Sequence, residues 1–150
     1  MTLEQLIPVL QVAIGPVILI SGVGLLVLSM TNRLGRLIDR SRILIEVRRR
    51  GAPQDQTRAD LQLTILWRRA RVLRTAISLS CISVLLDALM MILLFLGSLV
   101  DLPVAVEVTI AFAACLTALI GSILFFLRDV NLALRALAHE MQPDAPASDA

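Results

Sequence analysis

At 150 residues, 57% of them hydrophobic, and with a mean hydropathy of +0.84, the chain is too apolar for a soluble domain of its length and too short for several domains. Its formal net charge of +2 conceals a block: all fourteen basic residues are arginine, and twelve of them fall between Arg33 and Arg74. Residues 31–75 set those twelve against Asp39, Glu46, Asp55 and Asp60, a local charge of +8, while the rest of the chain sums to −6.

Apolar stretches at residues 6–30, 75–100 and 102–127 each exceed the ~20 residues needed to cross a hydrocarbon core of about 30 Å. The first contains Pro8, Gly15, Pro16, Ser21, Gly22 and Gly24, small residues that let helix backbones approach in lipid and predict packing against both other spans. Pro16 can kink this span, because its missing N–H frees a carbonyl one turn earlier. A cleaved signal peptide fits residues 1–30 badly: the leader carries Glu4 and no basic residue, and no small-x-small site precedes the arginines.

Beyond Met30 the pattern becomes amphipathic without a breaker. Leu34, Leu37, Ser41 and Leu44 recur at helical spacing, with Arg33, Arg36, Arg40 and Arg42 on other faces. Gly51 and Pro53 read as a stop, the glycine free to take a left-handed cap. Thr57 and Asp60 read as a capping-box start, followed by the stripe Ala59, Leu63, Leu66, Ala70 and Leu73. Residues 31–74 are thus expected to form an antiparallel helical hairpin with its tip at 51–56, its return helix continuing into the second span. The positive-inside rule keeps this segment cytoplasmic, with the N-terminus and the 97–103 turn outside and the C-terminus inside. Asp101 as N-cap and Pro103 just inside begin the third span. Leu127, Val130, Leu134, Leu137 and Met141 form an amphipathic tail helix over 128–141, with Arg128, Asp129 and Arg135 on its other face; residues 142–150 read as a disordered end.

Asp87 is the sharpest single residue. Near the bilayer midplane a carboxylate costs about 2.5 to 3.5 kcal/mol, and Ser80 and Ser83 extend a polar stripe along its face. Ser21, Gly22, Cys115 and Thr117 fall near its level. Two readings stand: an ion or proton site facing a pore made by several copies, or a protonated carboxyl hydrogen-bonded between helices as packing glue. Glu107 and Gln11, at comparable depth near the outer ends of their spans, could pair with each other or ring a pore mouth. The small-residue ridge Ala111, Ala114, Ala118 and Ser122 reads as helix packing. Cys81 and Cys115 read as reduced thiols, too different in depth to pair.

The run Thr31-Asn32-Arg33-Leu34-Gly35-Arg36-Leu37-Ile38-Asp39-Arg40-Ser41-Arg42, directly after a span containing Pro16-Val17-Ile18-Leu19-Ile20-Ser21, resembles a bacterial membrane family catalogued as domain of unknown function 2721. The resemblance covers about residues 5 to 138 and includes Trp67-Arg68-Arg69-Ala70-Arg71. It implies a three-span protein of the bacterial inner membrane and no established activity.

The fold class that follows is an all-α membrane protein: three transmembrane helices with a cytoplasmic antiparallel helical hairpin between spans one and two. An enzyme is hard to assemble from one histidine (His139), no tyrosine, no metal-spaced Cys/His cluster and no phosphate loop. No cofactor or metal is expected. The arginines offer three roles: setting topology, holding anionic lipid headgroups through Arg33, Arg36, Arg40, Arg68, Arg69, Arg71 and Arg74, or docking a cytoplasmic partner at Arg48, Arg49 and Arg50. Nucleic acid is the weakest partner, with Trp67 the only nearby aromatic and no recognition motif present; Trp67 can stack on Arg71 one turn later or fill the hairpin seam. The leading expectation is a non-enzymatic scaffold or regulatory protein binding anionic lipid or a protein. The rival is a small homo-oligomeric ion or proton channel or carrier built on Asp87.

Overall fold

A computed structural model describes residues 3–100 and 103–140. Three α-helices account for nearly all of them: α1 (Leu3–Arg50), α2 (Pro53–Val100) and α3 (Ala105–Glu140). All three are long and apolar enough to cross a membrane. At 1.5 Å per residue the 48 residues of α1 and of α2 each span about 70 Å, roughly twice a hydrocarbon core. α1 continues without a break through Pro16 and through the change from apolar to Arg-rich sequence at Met30.

The connection between α1 and α2 is tighter than the sequence suggests. Gly51 keeps a helical hydrogen bond, donating its N–H to Val47 O at 2.7 Å, and it does not adopt the left-handed conformation. Space is what demands glycine there, since an added Cβ would lie 2.7 Å from Val47 O and 3.0 Å from Asp55 Cβ. α2 then starts at Pro53 rather than Thr57. Proline suits a first helical position because its absent N–H would have no partner there, and the N–H groups of Asp55 and Gln56 are satisfied by Ala52 O. Thr57 bonds back to Pro53 O and caps nothing.

At the other connection, α3 starts at Ala105, with Val104 O accepting from Val108 N–H, so Pro103 lies before the helix rather than inside it. The expected N-cap, Asp101, lies outside the described residues, as do Met141 and the tail at 142–150. The separate tail helix is not seen: residues 128–140 are the end of α3 itself.

α2 is the central element. It packs along both α1 and α3, whose backbones rarely approach each other and which meet chiefly through side chains near the Arg-rich end. Every buried position described falls on a seven-residue series: Pro16, Val23, Met30 and Leu37 on α1; Ala59, Leu66, Leu73, Ser80 and Asp87, together with Ala76, Ser83, Met90 and Gly97, on α2; Cys115, Ser122 and Asp129 on α3. That recurrence is the pattern of helices wound in a left-handed supercoil. Met30, Leu37, Leu66, Leu73 and Ala76 form the apolar core, joined by Phe125 and Phe126 from α3. The expected stripes through Leu37 and Leu66 do face inward. The glycines of the first span do not mediate close contact: a Cβ at Gly15, Gly22 or Gly24 would meet nothing within 4 Å. Gly97 is the tightly placed one, where a Cβ would run into the Val104 side chain.

Candidate functional site

The α2–α3 seam is polar along much of its length. Ser80 and Ser122 hydroxyls lie 2.6 Å apart, and Ser122 donates to Ala76 O at 2.8 Å. Ser83 donates to Cys115 O at 3.1 Å, and the Cys115 thiol reaches Ser83 O at 3.3 Å. The serine stripe therefore faces α3 of the same chain. It satisfies backbone carbonyls and joins the two helices, as interhelical hydroxyls do in lipid. Ser122, expected on a packing ridge, is one of its anchors. Both cysteines are free, Cys115 buried in this seam and Cys81 exposed.

Asp87 sits one turn beyond Ser83 and is 1% exposed, yet neither of its carboxylate oxygens has a hydrogen-bond partner among the described residues. The groups expected at its level do not reach it. Ser21 and Thr117 turn back to Val17 O and Ala113 O of their own helices, and Cys115 is engaged with Ser83. Beyond Asp87, away from the Arg-rich end, α1, α2 and α3 line an apolar cleft of ≈ 530 Å³ whose walls include Gly15, Pro16, Met90, Leu94, Val108 and Phe112. Glu107 and Gln11 are both exposed.

At the Arg-rich end the helices close on a second buried carboxylate. Asp129, 0% exposed, accepts from Arg69 Nε of α2 at 3.4 Å and lies 3.9 Å from the Arg33 guanidinium of α1. Arg33 also lies over the Phe126 ring, 5.1 Å from its centre. One side chain thus ties all three helices together at the level where each passes from apolar to charged sequence. The sequence sets Asp129 apart from the apolar stripe through Leu127 and Leu134, and the structure turns Asp129 inward and leaves both leucines exposed. In lipid an apolar stripe needs no partner, so it can face outward, while the charged residue must turn to the protein. The usable signal was the spacing of Cys115, Ser122 and Asp129, each seven residues from the last.

The arginines expected to bind anions divide by place. Arg33, Arg36 and Arg40 of α1 and Arg69 of α2 converge, with Leu37, on one cleft of ≈ 210 Å³. Arg68 lines a different cleft of ≈ 520 Å³ with Arg128 and Asn131. Arg71 stacks on Trp67 at 5.9 Å, and that indole is exposed rather than filling a helix seam. Arg74 is exposed. Near the connection, Arg48 pairs with Asp60 at 3.0 Å across α1 and α2, and Arg50 pairs with Glu46 on the same helix. Among the described residues no group of three or more His, Cys, Asp or Glu side chains could hold a metal ion.

Comparison with known proteins gives one match. A family model described as protein of unknown function (DUF2721) matches residues 13–139. No curated protein and no solved structure matches the chain.

Proposed function

The chain belongs to the DUF2721 family of proteins of unknown function, and from that premise we propose that it is a non-enzymatic integral protein of the bacterial inner membrane that holds anionic lipid at its Arg-rich end. In this reading residues 31–74 form a cytoplasmic hairpin, the N-terminus is outside and the C-terminus inside. The observation that carries it is the convergence of Arg33, Arg36, Arg40 and Arg69 on one cleft beside the level where the apolar runs end. Arginine near an anionic surface contributes about 1 kcal/mol per residue, and its planar fork suits phosphate oxygens. A scaffold or regulatory role follows from a site that binds without transforming.

Full-length protein in nanodiscs tests the reading. Lipid retained through gentle delipidation should be enriched in anionic over zwitterionic species, and retention of the two in proportion to supply would sink it. A C-terminal tag reachable from outside the cell would overturn the orientation.

Asp87 supports a second reading, a small homo-oligomeric proton or ion channel or carrier, because a sealed carboxyl with neither oxygen bonded is costly unless something else meets it. Proton and monovalent-cation flux into proteoliposomes decides this, comparing wild type with Asp87→Asn. Equal flux from both would remove Asp87 from any transport role.

A further inference from the structure

The cleft between α1 and α2 has more charge and more internal order than general attraction to an anionic surface requires. Arg33, Arg36 and Arg40 are spaced three and four residues apart, so they share a face and span about 10 Å along the axis of α1. Arg69 approaches from α2, and Leu37 lies among them. Two of the four lie against the buried Asp129 of α3: Arg69 Nε donates to it at 3.4 Å, and Arg33 stands 3.9 Å from its other oxygen with its guanidinium over Phe126. Arg36 and Arg40 are exposed and have no carboxylate partner among the described residues. The four guanidiniums and one carboxylate leave a local charge of +3. A single phosphodiester, at one negative charge, would leave most of it uncompensated.

We propose that this cleft is the headgroup site for a lipid carrying two phosphates, one met by the preset pair Arg33 and Arg69, the other by Arg36 and Arg40. This rests on the lipid-binding reading above and narrows it to one headgroup class. Basic pockets between membrane helices on the cytoplasmic side take such headgroups, and bidentate guanidinium contacts to phosphate are short and directional. The size agrees. At ≈ 210 Å³ the cleft is smaller than the about 300 to 1,000 Å³ of pockets that enclose a whole small molecule, so it suits a headgroup whose acyl chains remain outside. Its place agrees too. Met30, the last residue of the first apolar run, lies three positions before Arg33, so the cleft opens beside the membrane boundary and acyl chains attached to the bound phosphates can remain in lipid. Preset arginines lower the cost of ordering the site, because part of the side-chain entropy has already been lost to Asp129.

The test is lipid binding to the full-length protein in detergent by native mass spectrometry, with diphosphatidylglycerol, phosphatidylglycerol and phosphatidylcholine as probes and inorganic pyrophosphate as competitor. The expected order is diphosphatidylglycerol about tenfold or more above phosphatidylglycerol, with phosphatidylcholine weakest. The double variant Arg36→Gln, Arg40→Gln should lose about 25-fold in affinity for diphosphatidylglycerol, about fivefold per arginine. Arg49→Gln with Arg50→Gln, at the far end of α1, should leave it unchanged. Since Arg36 and Arg40 are exposed, their replacement leaves the packing intact.

Equal affinity for the two anionic lipids at matched phosphate would overturn the two-phosphate site while leaving the broader lipid reading standing. Loss of any preference over phosphatidylcholine would remove both. Displacement of lipid by pyrophosphate at comparable concentration would overturn the lipid source and point to a soluble diphosphate.

Discussion

Asp129 and Asp87 are sealed from solvent to the same degree, at 0% and 1% exposure, but they sit in opposite surroundings. Asp129 lies between two arginines where all three helices meet: Arg69 donates to Oδ1, while Oδ2 faces the Arg33 guanidinium at 3.9 Å and has no hydrogen-bond partner among the described residues. Asp87 has the Ser83 hydroxyl one turn behind it, an apolar cleft ahead, and no hydrogen-bond partner on either oxygen among the described residues. Burial alone therefore says little about what a carboxyl contributes. The Arg-rich end is an electrostatic joint, and the α2–α3 seam is a hydroxyl-bonded contact that ends in a carboxyl unmet among the described residues.

The comparison is most exposed to test by replacing each carboxylate with leucine and following unfolding in mild detergent. Asp129→Leu should cost about 3 kcal/mol, the low end for removing one member of a buried ionic group, because Arg33 and Arg69 keep partial contact with solvent. A change below about 1 kcal/mol would mean that the joint is solvated and contributes little. Asp87→Leu should have the opposite sign, stabilising by up to about 4 kcal/mol, because a polar group without a partner is replaced by one that suits its surroundings. If it destabilised as Asp129→Leu does, Asp87 would have a partner in the membrane-embedded protein, and the contrast would collapse. The smallest effect is expected at the hydroxyl pair between these sites. A double-mutant cycle of Ser80→Ala and Ser122→Ala should give a coupling of about 0.6 kcal/mol, with about 1.7 as an upper bound. A value near zero would make the seam a matter of shape rather than hydrogen bonding.

Much of the fold was legible in the chain: three runs of sufficient length, a stop at Gly51 and Pro53, and no breaker between the charged and apolar parts of α1 or α2. What escaped was orientation about the helix axis. Amphipathic reasoning assigns apolar residues to the inside, which holds for Leu37 and Leu66 and fails around Asp129, where apolar side chains are exposed and the carboxylate is buried. The glycines misled for a related reason: a small residue permits close approach without causing it, and only the path of the connection into α3 brings a side chain, that of Val104, against Gly97. Of the candidate site, the charge of Arg33, Arg36, Arg40 and Arg69 could be read, but their convergence could not. It depends on the register between α1 and α2, set by which core residues meet.

A seven-residue series on every helix also restricts how the chain can change length. One residue inserted between Leu73 and Ser80 would turn everything beyond it by about 100°, carrying Asp87 outward while Arg69 stayed beside Asp129. Seven inserted residues would restore the face but push the outer half of α2 about 10 Å along α3, past Cys115 and Ser122. Length can therefore vary between the helices without turning their faces, but not within them. Within the helices, any lasting insertion or deletion would have to occur in matched steps of seven on neighbouring helices.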